Sequence, residues 1–237
     1  MEKYYNSFYR ELAEIDARHN NFSKIAGQVK CEPGMKVLDI GAGYGNVTVG
    51  FVERGCDTYA IEINQDAVVS LQQKGIKVIE QNLNESFTIP YRFDLITALD
   101  ILEHVFDPLH VLGECHKLLT KDGQLLIIVP LYFDLMDRLR ILFSGSIISY
   151  DNIVYGKRLY NKFRSYNYDH IRFFRPWEFV EMVKLSGFTI NTIKYSPMFG
   201  RSLPSKIVAL LLANRFTVDK WPSLLAHSMT IRAIKSQ

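Results

Sequence analysis

The chain has 237 residues, enough for one large domain with a sizeable core, and 48% of them are hydrophobic. A net charge of +3 and a sequence pI near 8.6 give no general case for nucleic-acid binding. Cys31, Cys56 and Cys115 are scattered, odd in number and contain no C-x-x-C pair, so a disulfide framework and a zinc site are both disfavoured and a reducing cytoplasm is expected. Met1-Glu2-Lys3-Tyr4-Tyr5 lacks the apolar stretch of a signal peptide, and no apolar run reaches the roughly 18 residues that cross a bilayer.

Residues about 2 to 29 carry Phe8, Leu12 and Ile15, then Phe22, Ile25 and Val29, at helical spacing, with Asn20-Asn21 between the two stretches. Pro33-Gly34 turns the chain into a first strand, Lys36–Ile40. Further strands are expected at Thr58–Glu62, Lys77–Gln81, Phe93–Leu99 and Gln124–Val129, with helices near Asn46–Arg54, Gln65–Lys74 and Pro108–Leu119. Asn64 reads as an N-cap, and Gly75 and Gly123 as helix-end or turn glycines. Short apolar strands alternating with helices imply a parallel sheet covered on both faces.

After Pro130 the pattern breaks. Residues 131 to 170 are rich in aromatic and basic side chains, among them Tyr132, Phe133, Arg138, Tyr155, Arg158 and Tyr168, which read as an insertion over the sheet edge. A helix at Pro176–Ser186 has Pro176 near N1, Glu178 in its first turn and Gly187 at its end. Two β-like runs, Phe188–Tyr195 and His227–Ile234, flank a helical segment near Ser205–Ala213.

The most informative stretch is Val37-Leu38-Asp39-Ile40-Gly41-Ala42-Gly43-Tyr44-Gly45. A strand, a glycine turn and a helix start form a nucleotide-type pocket at the carboxyl end of a parallel sheet. The spacing is G-x-G-x-G, and Asn46 stands where a dinucleotide fingerprint has its third glycine. Glu62 closes the next strand about 20 residues on, where a carboxylate accepts from ribose hydroxyls. That ribose is common to NAD and S-adenosylmethionine, so Glu62 alone does not separate them.

An ordered set of pieces does separate them. The glycine loop is followed by Ile61-Glu62, by Gln81-Asn82-Leu83, and by Phe93-Asp94-Leu95-Ile96 with Asp100-Ile101-Leu102-Glu103-His104-Val105. Leu118-Leu119-Thr120-Lys121-Asp122-Gly123-Gln124-Leu125 completes it. In this order and spacing the chain resembles a class I S-adenosylmethionine-dependent methyltransferase, strongly over residues 35 to 130 and more loosely over 170 to 235. The Leu-Glu-His-Val run is most similar to the subgroup that contains ubiquinone-biosynthesis O-methyltransferases and many small-molecule or sugar methyltransferases.

The resemblance implies an α/β fold: a Rossmann-like, doubly wound seven-stranded sheet with the last strand antiparallel, plus a helical and aromatic cap insertion. It implies a single domain over 1–237, with an N-terminal helical lid at 1–30 and a substrate cap at 131–170. S-adenosyl-L-methionine is the implied cofactor. Gly41, Ala42, Gly43 and Gly45 would carry its methionine end, with Asp39 beneath the loop accepting from its amino group or holding the loop. Glu62 would take the ribose diol and Ile63 the adenine face. Asn82 and Leu83 would meet the adenine edge, Asn82 standing where the family more often has Asp. Asp100 and Glu103 would be cofactor-side or structural.

Methyl transfer needs an aligned nucleophile and a group that takes its proton. His104, after the fourth strand, is the first candidate base, with a structural role in the loop as its alternative. His170, in Tyr168-Asp169-His170-Ile171-Arg172, is the second, as a substrate-lining or catalytic group. Glu103 with His104 makes an incomplete metal site, so no metal is expected. His19, His110, His116 and His227 read as surface or packing residues. Tyr4, Tyr5, Phe8 and Tyr9 form a lid over the cofactor or a packing stripe.

The basic-aromatic insertion suits a substrate cap, and also contact with a membrane surface or a second copy. The expected partner is a small molecule, not nucleic acid: the Asn/Asp-Pro-Pro-Tyr motif of base methylation is absent after the fourth strand, where Leu99-Asp100-Ile101-Leu102 stands. Two other functions remain open to the sequence, a nicotinamide-dependent oxidoreductase and a non-catalytic S-adenosylmethionine-binding protein.

Overall fold

The apolar runs pair into a seven-stranded sheet in the order β3-β2-β1-β4-β5-β7-β6. The computed structural model describes residues 29–144, 170–197 and 215–236. The expected N-terminal helical lid with Tyr4, Tyr5, Phe8, Tyr9 and His19, most of the expected cap, and the Ser205–Ala213 segment lie outside the described residues.

The elements in chain order are β1 (Lys36–Ile40), α1 (Val49–Val52), β2 (Asp57–Ile61), α2 (Gln65–Gln73), β3 (Lys77–Ile79) and β4 (Phe93–Leu99). A 3₁₀ turn (Leu102–His104), α3 (Pro108–Leu118), β5 (Leu119–Pro130) and α4 (Leu135–Ser144) follow. The chain returns as α5 (Pro176–Leu185), β6 (Phe188–Pro197), α6 (Arg215–Lys220), α7 (Pro222–Leu225) and β7 (Ala226–Lys235). β1 to β5 run parallel, and β7 inserts antiparallel between β5 and β6. Seven strands with the last antiparallel are what the family resemblance implies.

Strand β1 lies at the centre and shows why its run is nearly all apolar. Leu38 and Ile40 enter the larger core with Ile96, Leu112 and Phe179, while Val37 enters the core on the other face with Phe51 and Leu95. Both faces of a central parallel strand are covered, so period-two alternation is lost. Asp39 is the polar exception, 3% exposed.

The chain order reverses direction between β1 and β4, so their carboxyl ends open a crevice. Two of the helices that frame it, α2 and α3, begin with side-chain caps. Asn64 Oδ1 accepts from the Ala67 amide at 3.2 Å, and Asp107 Oδ1 from the His110 amide at 3.1 Å.

Three readings need correction. Gly123 lies inside β5, not in a turn. A Cβ there would stand 3.0 Å from the Phe93 carbonyl and 2.8 Å from Leu119, so glycine permits close strand approach where the β4–β5 register shifts. The first helix is four residues, not nine, because Val47 to Phe51 is wound by i→i+3 bonds such as Phe51 N–H to Thr48. Cys31 and Cys56 form a disulfide, against the expectation of none. Parallel pairing of β1 and β2 brings their entry loops together, with Gly34 N–H donating to the Gly55 carbonyl at 2.8 Å. Cys115 is free and buried, and burial pushes its thiol up to about 12. Among the described residues no helix is long and apolar enough to cross a membrane.

Candidate active site

The glycine loop follows directly from β1. Gly41, Gly43 and Gly45 all take positive φ, at 67°, 53° and 79°. Their surroundings differ. A Cβ on Gly41 would overlap the Ile101 side chain, and one on Gly45 would lie 2.6 Å from Leu71, so these two positions are closed by packing. A Cβ on Gly43 would meet nothing within 4 Å. Gly43 is therefore the place where the loop presents bare backbone to open space.

Two carboxylates fix the loop from below and from the side. Asp39 accepts from Thr48 Oγ1 at 2.6 Å and from Thr97 Oγ1 at 2.7 Å, joining the start of α1 to β4 beneath the glycines. Burial raises its pKa to about 6, and the charge of Glu62 adds to the rise, while the two hydroxyls oppose it. Glu62 Oε2 accepts from Gly43 N–H at 2.8 Å. Its Oε1 accepts from the amides of Ile63 at 2.8 Å and Asn64 at 2.9 Å. The end of β2 is thus tied to the loop through one side chain, and Ile63 is left 63% exposed beside it.

On the β3 side, Asn82 Oδ1 accepts from both the amide and the side chain of Asn84, at 3.0 and 3.2 Å. A carbonyl has two lone pairs, so this oxygen is already engaged within its own loop. Leu83 packs on the core. Asn84 Oδ1 in turn accepts from the Phe106 amide at 2.7 Å, fastening this loop to the one that follows β4.

Beyond β4, Asp100 is exposed, holds φ 49° and donates its N–H to the Ile128 carbonyl at 3.0 Å. This left-handed step turns the chain into the 3₁₀ turn that carries Glu103 and His104. His104 and His170 meet edge to face, ring centroids 4.6 Å apart. The returning chain is held there because Ile171 and Arg172 amides donate to the Glu103 carbonyl at 2.9 and 3.1 Å, and the Arg172 guanidinium donates to the Phe106 carbonyl. The structure therefore brings together the two histidines singled out from sequence, 66 positions apart.

Tyr132, which sequence reasoning placed only among the cap aromatics, joins them. Its hydroxyl bonds His170 Nδ1, and its ring stands edge-on to Phe173 at 4.8 Å. Phe133, at φ 65°, completes a partly exposed wall with Phe173, their rings 6.2 Å apart. The available signal was position: Tyr132 lies just past the carboxyl end of β5, on the rim where α/β sheets bind ligands. One ligand atom from each of Glu103, His104 and His170 falls within 4.8 Å of the others. His116 and His110 pack elsewhere, while the His227 carbonyl accepts from the Leu131 N–H at 2.7 Å, beside Tyr132. His116 lies against Phe188, its pKa lowered by burial, and His110 Nε2 is 3.0 Å from the Glu85 carbonyl.

This fold and crevice define a class I methyltransferase. Residues 5–193 match the family model described as "Methyltransferase domain", and the chain belongs to that family. A ubiquinone biosynthesis O-methyltransferase of Azotobacter vinelandii is 31% identical over 202 residues, covering 81% of each chain. Among solved structures, the TehB-like SAM-dependent methyltransferase of Corynebacterium glutamicum superposes with a TM-score of 0.60 at 14% identity, covering 99% of this chain and 98% of that one. The [4+2]-cyclase SpnF superposes with a TM-score of 0.59 at 14% identity, over 90% and 80% of the two chains, so superposition shows the fold alone.

The protein is an S-adenosylmethionine-dependent methyltransferase. The residues present are compatible with that cofactor: Gly43 presents bare backbone to open space, and the Glu62 carboxylate stands beside it, accepting from Gly43 N–H at 2.8 Å.

Proposed function

We propose that the protein methylates an oxygen of a small hydroxylated molecule, with His104 taking the hydroxyl proton. The observation that carries this reading is the His104–His170 pair at the carboxyl end of β4, three residues past the Ile101 side chain on which Gly41 packs. Base and cofactor loop are thus parts of one packed unit. The name of the Azotobacter relative supports oxygen as the acceptor atom.

When bound, the cofactor supplies an activated methyl group on a sulfonium. The protein's part is alignment and proton removal. Gly41, Ala42, Gly43 and Gly45 hold the methionine end, and Glu62 the ribose. Ile63 covers the adenine, with Leu83 at its edge. Asp39 acts through the loop, since both its oxygens are bonded to threonines. Phe133 and Phe173 suit a flat, aromatic acceptor laid against them. His170, tied to Tyr132, lines that space beside His104.

A second reading has one observation in its favour. Glu103, His104 and His170 group closely enough to hold a divalent cation, which would lower the pKa of an acceptor hydroxyl directly.

The deciding experiment is a methyl-transfer assay with labelled S-adenosylmethionine on phenols, catechols and alkylamines, run with and without chelator. O-methylated phenol or catechol insensitive to chelator is the expected product. Activity on amines alone would sink the oxygen assignment. Activity abolished by chelator and restored by Mg²⁺ or Zn²⁺ would move the proton step from the imidazole to a cation.

A further inference from the structure

Tyr44 sits inside the glycine loop, between Gly43 and Gly45, and its hydroxyl takes no part in the hydrogen bonding of the fold. Its hydroxyl is buried and has no hydrogen-bond partner. Among the described residues, no acceptor pairs with its N–H either. The rest of the loop is committed. Gly43 N–H goes to Glu62, Gly45 N–H to the Ala42 carbonyl, and the Tyr44 carbonyl accepts from Lys74 Nζ and, at 3.5 Å, from Ser70 Oγ. Lys74 is thereby held by the loop backbone, where burial lowers its pKa. A buried hydroxyl without an acceptor is an unfavourable arrangement that phenylalanine would avoid at nearly the same volume. It becomes favourable when an acceptor, such as one carried by a bound ligand, is brought to it.

The ligand end that lies on such a loop is an α-amino acid, and its carboxylate is the acceptor of that end. A phenol O–H can donate, and its hydrogen bond is strengthened when the acceptor is an anion. We infer that the Tyr44 hydroxyl donates to the carboxylate of the cofactor's methionine end, making Tyr44 a cofactor-binding residue. This rests on the reading of the glycine loop as the methionine cradle.

The test is calorimetry of the wild type and of Tyr44→Phe with three ligands. S-adenosylhomocysteine carries the whole amino acid. Decarboxylated S-adenosylmethionine keeps the amine alone, and 5′-methylthioadenosine has neither. Tyr44→Phe is expected to weaken S-adenosylhomocysteine about 10- to 100-fold, the range of a hydrogen bond to a charged group, and to leave the other two unchanged. An equal loss for methylthioadenosine would overturn the proposal, because the ring would then be shaping the pocket. So would unchanged binding of all three. A change in decarboxylated S-adenosylmethionine that matches the loss for S-adenosylhomocysteine would assign the hydroxyl to the amine instead. Should Tyr44→Phe not fold, the wild type decides alone, since equal affinity for S-adenosylmethionine and its decarboxylated form removes the carboxylate contact. A wild type that binds none of these ligands overturns the cradle reading first, and the role of Tyr44 with it.

Discussion

The two halves of the crevice are built in different ways. The proposed cofactor half, from β1 to α2, is local: Asp39, the glycines, Thr48 and Glu62 lie within one β-α-β unit and meet mainly through backbone amides and short side chains. The proposed acceptor half is assembled from three distant pieces, the turn after β4, the exit of β5, and the segment that returns from the cap. A local, backbone-made half is rigid and tolerant of side-chain drift. A half made of three side chains from three places is where specificity and chemistry can be changed independently of cofactor binding.

If that division is right, the largest separable effect comes from His104. His104→Ala is expected to lower turnover about 10²- to 10⁴-fold, the usual contribution of a general base, with S-adenosylhomocysteine affinity unchanged. Comparable losses in both, measured by assay and calorimetry on the same preparation, would merge the two halves and make His104 a binding residue.

Glu62→Ala cuts the other way. It removes the acceptor of three backbone amides as well as the proposed ribose contact. A loss of about 1.5–3 kcal/mol in S-adenosylhomocysteine binding is expected, near 10- to 100-fold. Unaltered affinity in a folded variant would remove Glu62 from the pocket.

The glycines sharpen the comparison within one loop. Alanine at Gly41 adds a clash with Ile101 to the positive-φ strain, whereas alanine at Gly43 adds strain of about 1–2 kcal/mol and no clash. Gly41→Ala is therefore expected to lower the melting temperature further, and Gly43→Ala to lower cofactor affinity further for the stability it loses. A thermal melt and a titration on each variant read this directly. The reverse ranking would place the open face of the cradle elsewhere.

The same division explains what could be read from sequence. The glycine loop and Glu62 were legible because their geometry is set by a short segment, and φ > 0 at alternate positions is written as glycine. The alternating elements implied a parallel sheet covered on both faces, and the seventh, antiparallel strand came with the family resemblance rather than from the pattern itself. The site role of Tyr132 was not legible, since its partner His170 lies 38 residues away across the cap. Nor was the engagement of Asn82 Oδ1, which depends on how the loop folds back at Asn84. Gly123 read as a turn because Asp-Gly is a good turn pair, and only the neighbouring Phe93 carbonyl reveals a crowded strand. The pairing of Cys31 with Cys56 depends on which strands are neighbours, and spacing alone does not carry that.

The smallest expected effect concerns Asp39, and its sign is the informative part. Its pKa is raised from 3.8 to about 6 because the charged form is buried. The folded protein thus holds a proton between those values that the unfolded chain has released. Stability falls as pH rises from about 4 to about 6, and above that the full cost remains, about 3 kcal/mol at most for a shift of about two pKa units. Asp39→Asn removes the charge and keeps a carbonyl for one threonine. The difference in melting temperature, variant minus wild type, is therefore expected to become more positive between pH 4.5 and pH 7.5. A difference independent of pH would mean that the Thr48 and Thr97 hydroxyls already compensate the buried charge. The carboxylate would then cost the fold nothing while tying the glycine loop to β4, and the cofactor half would be tuned by hydrogen bonding alone.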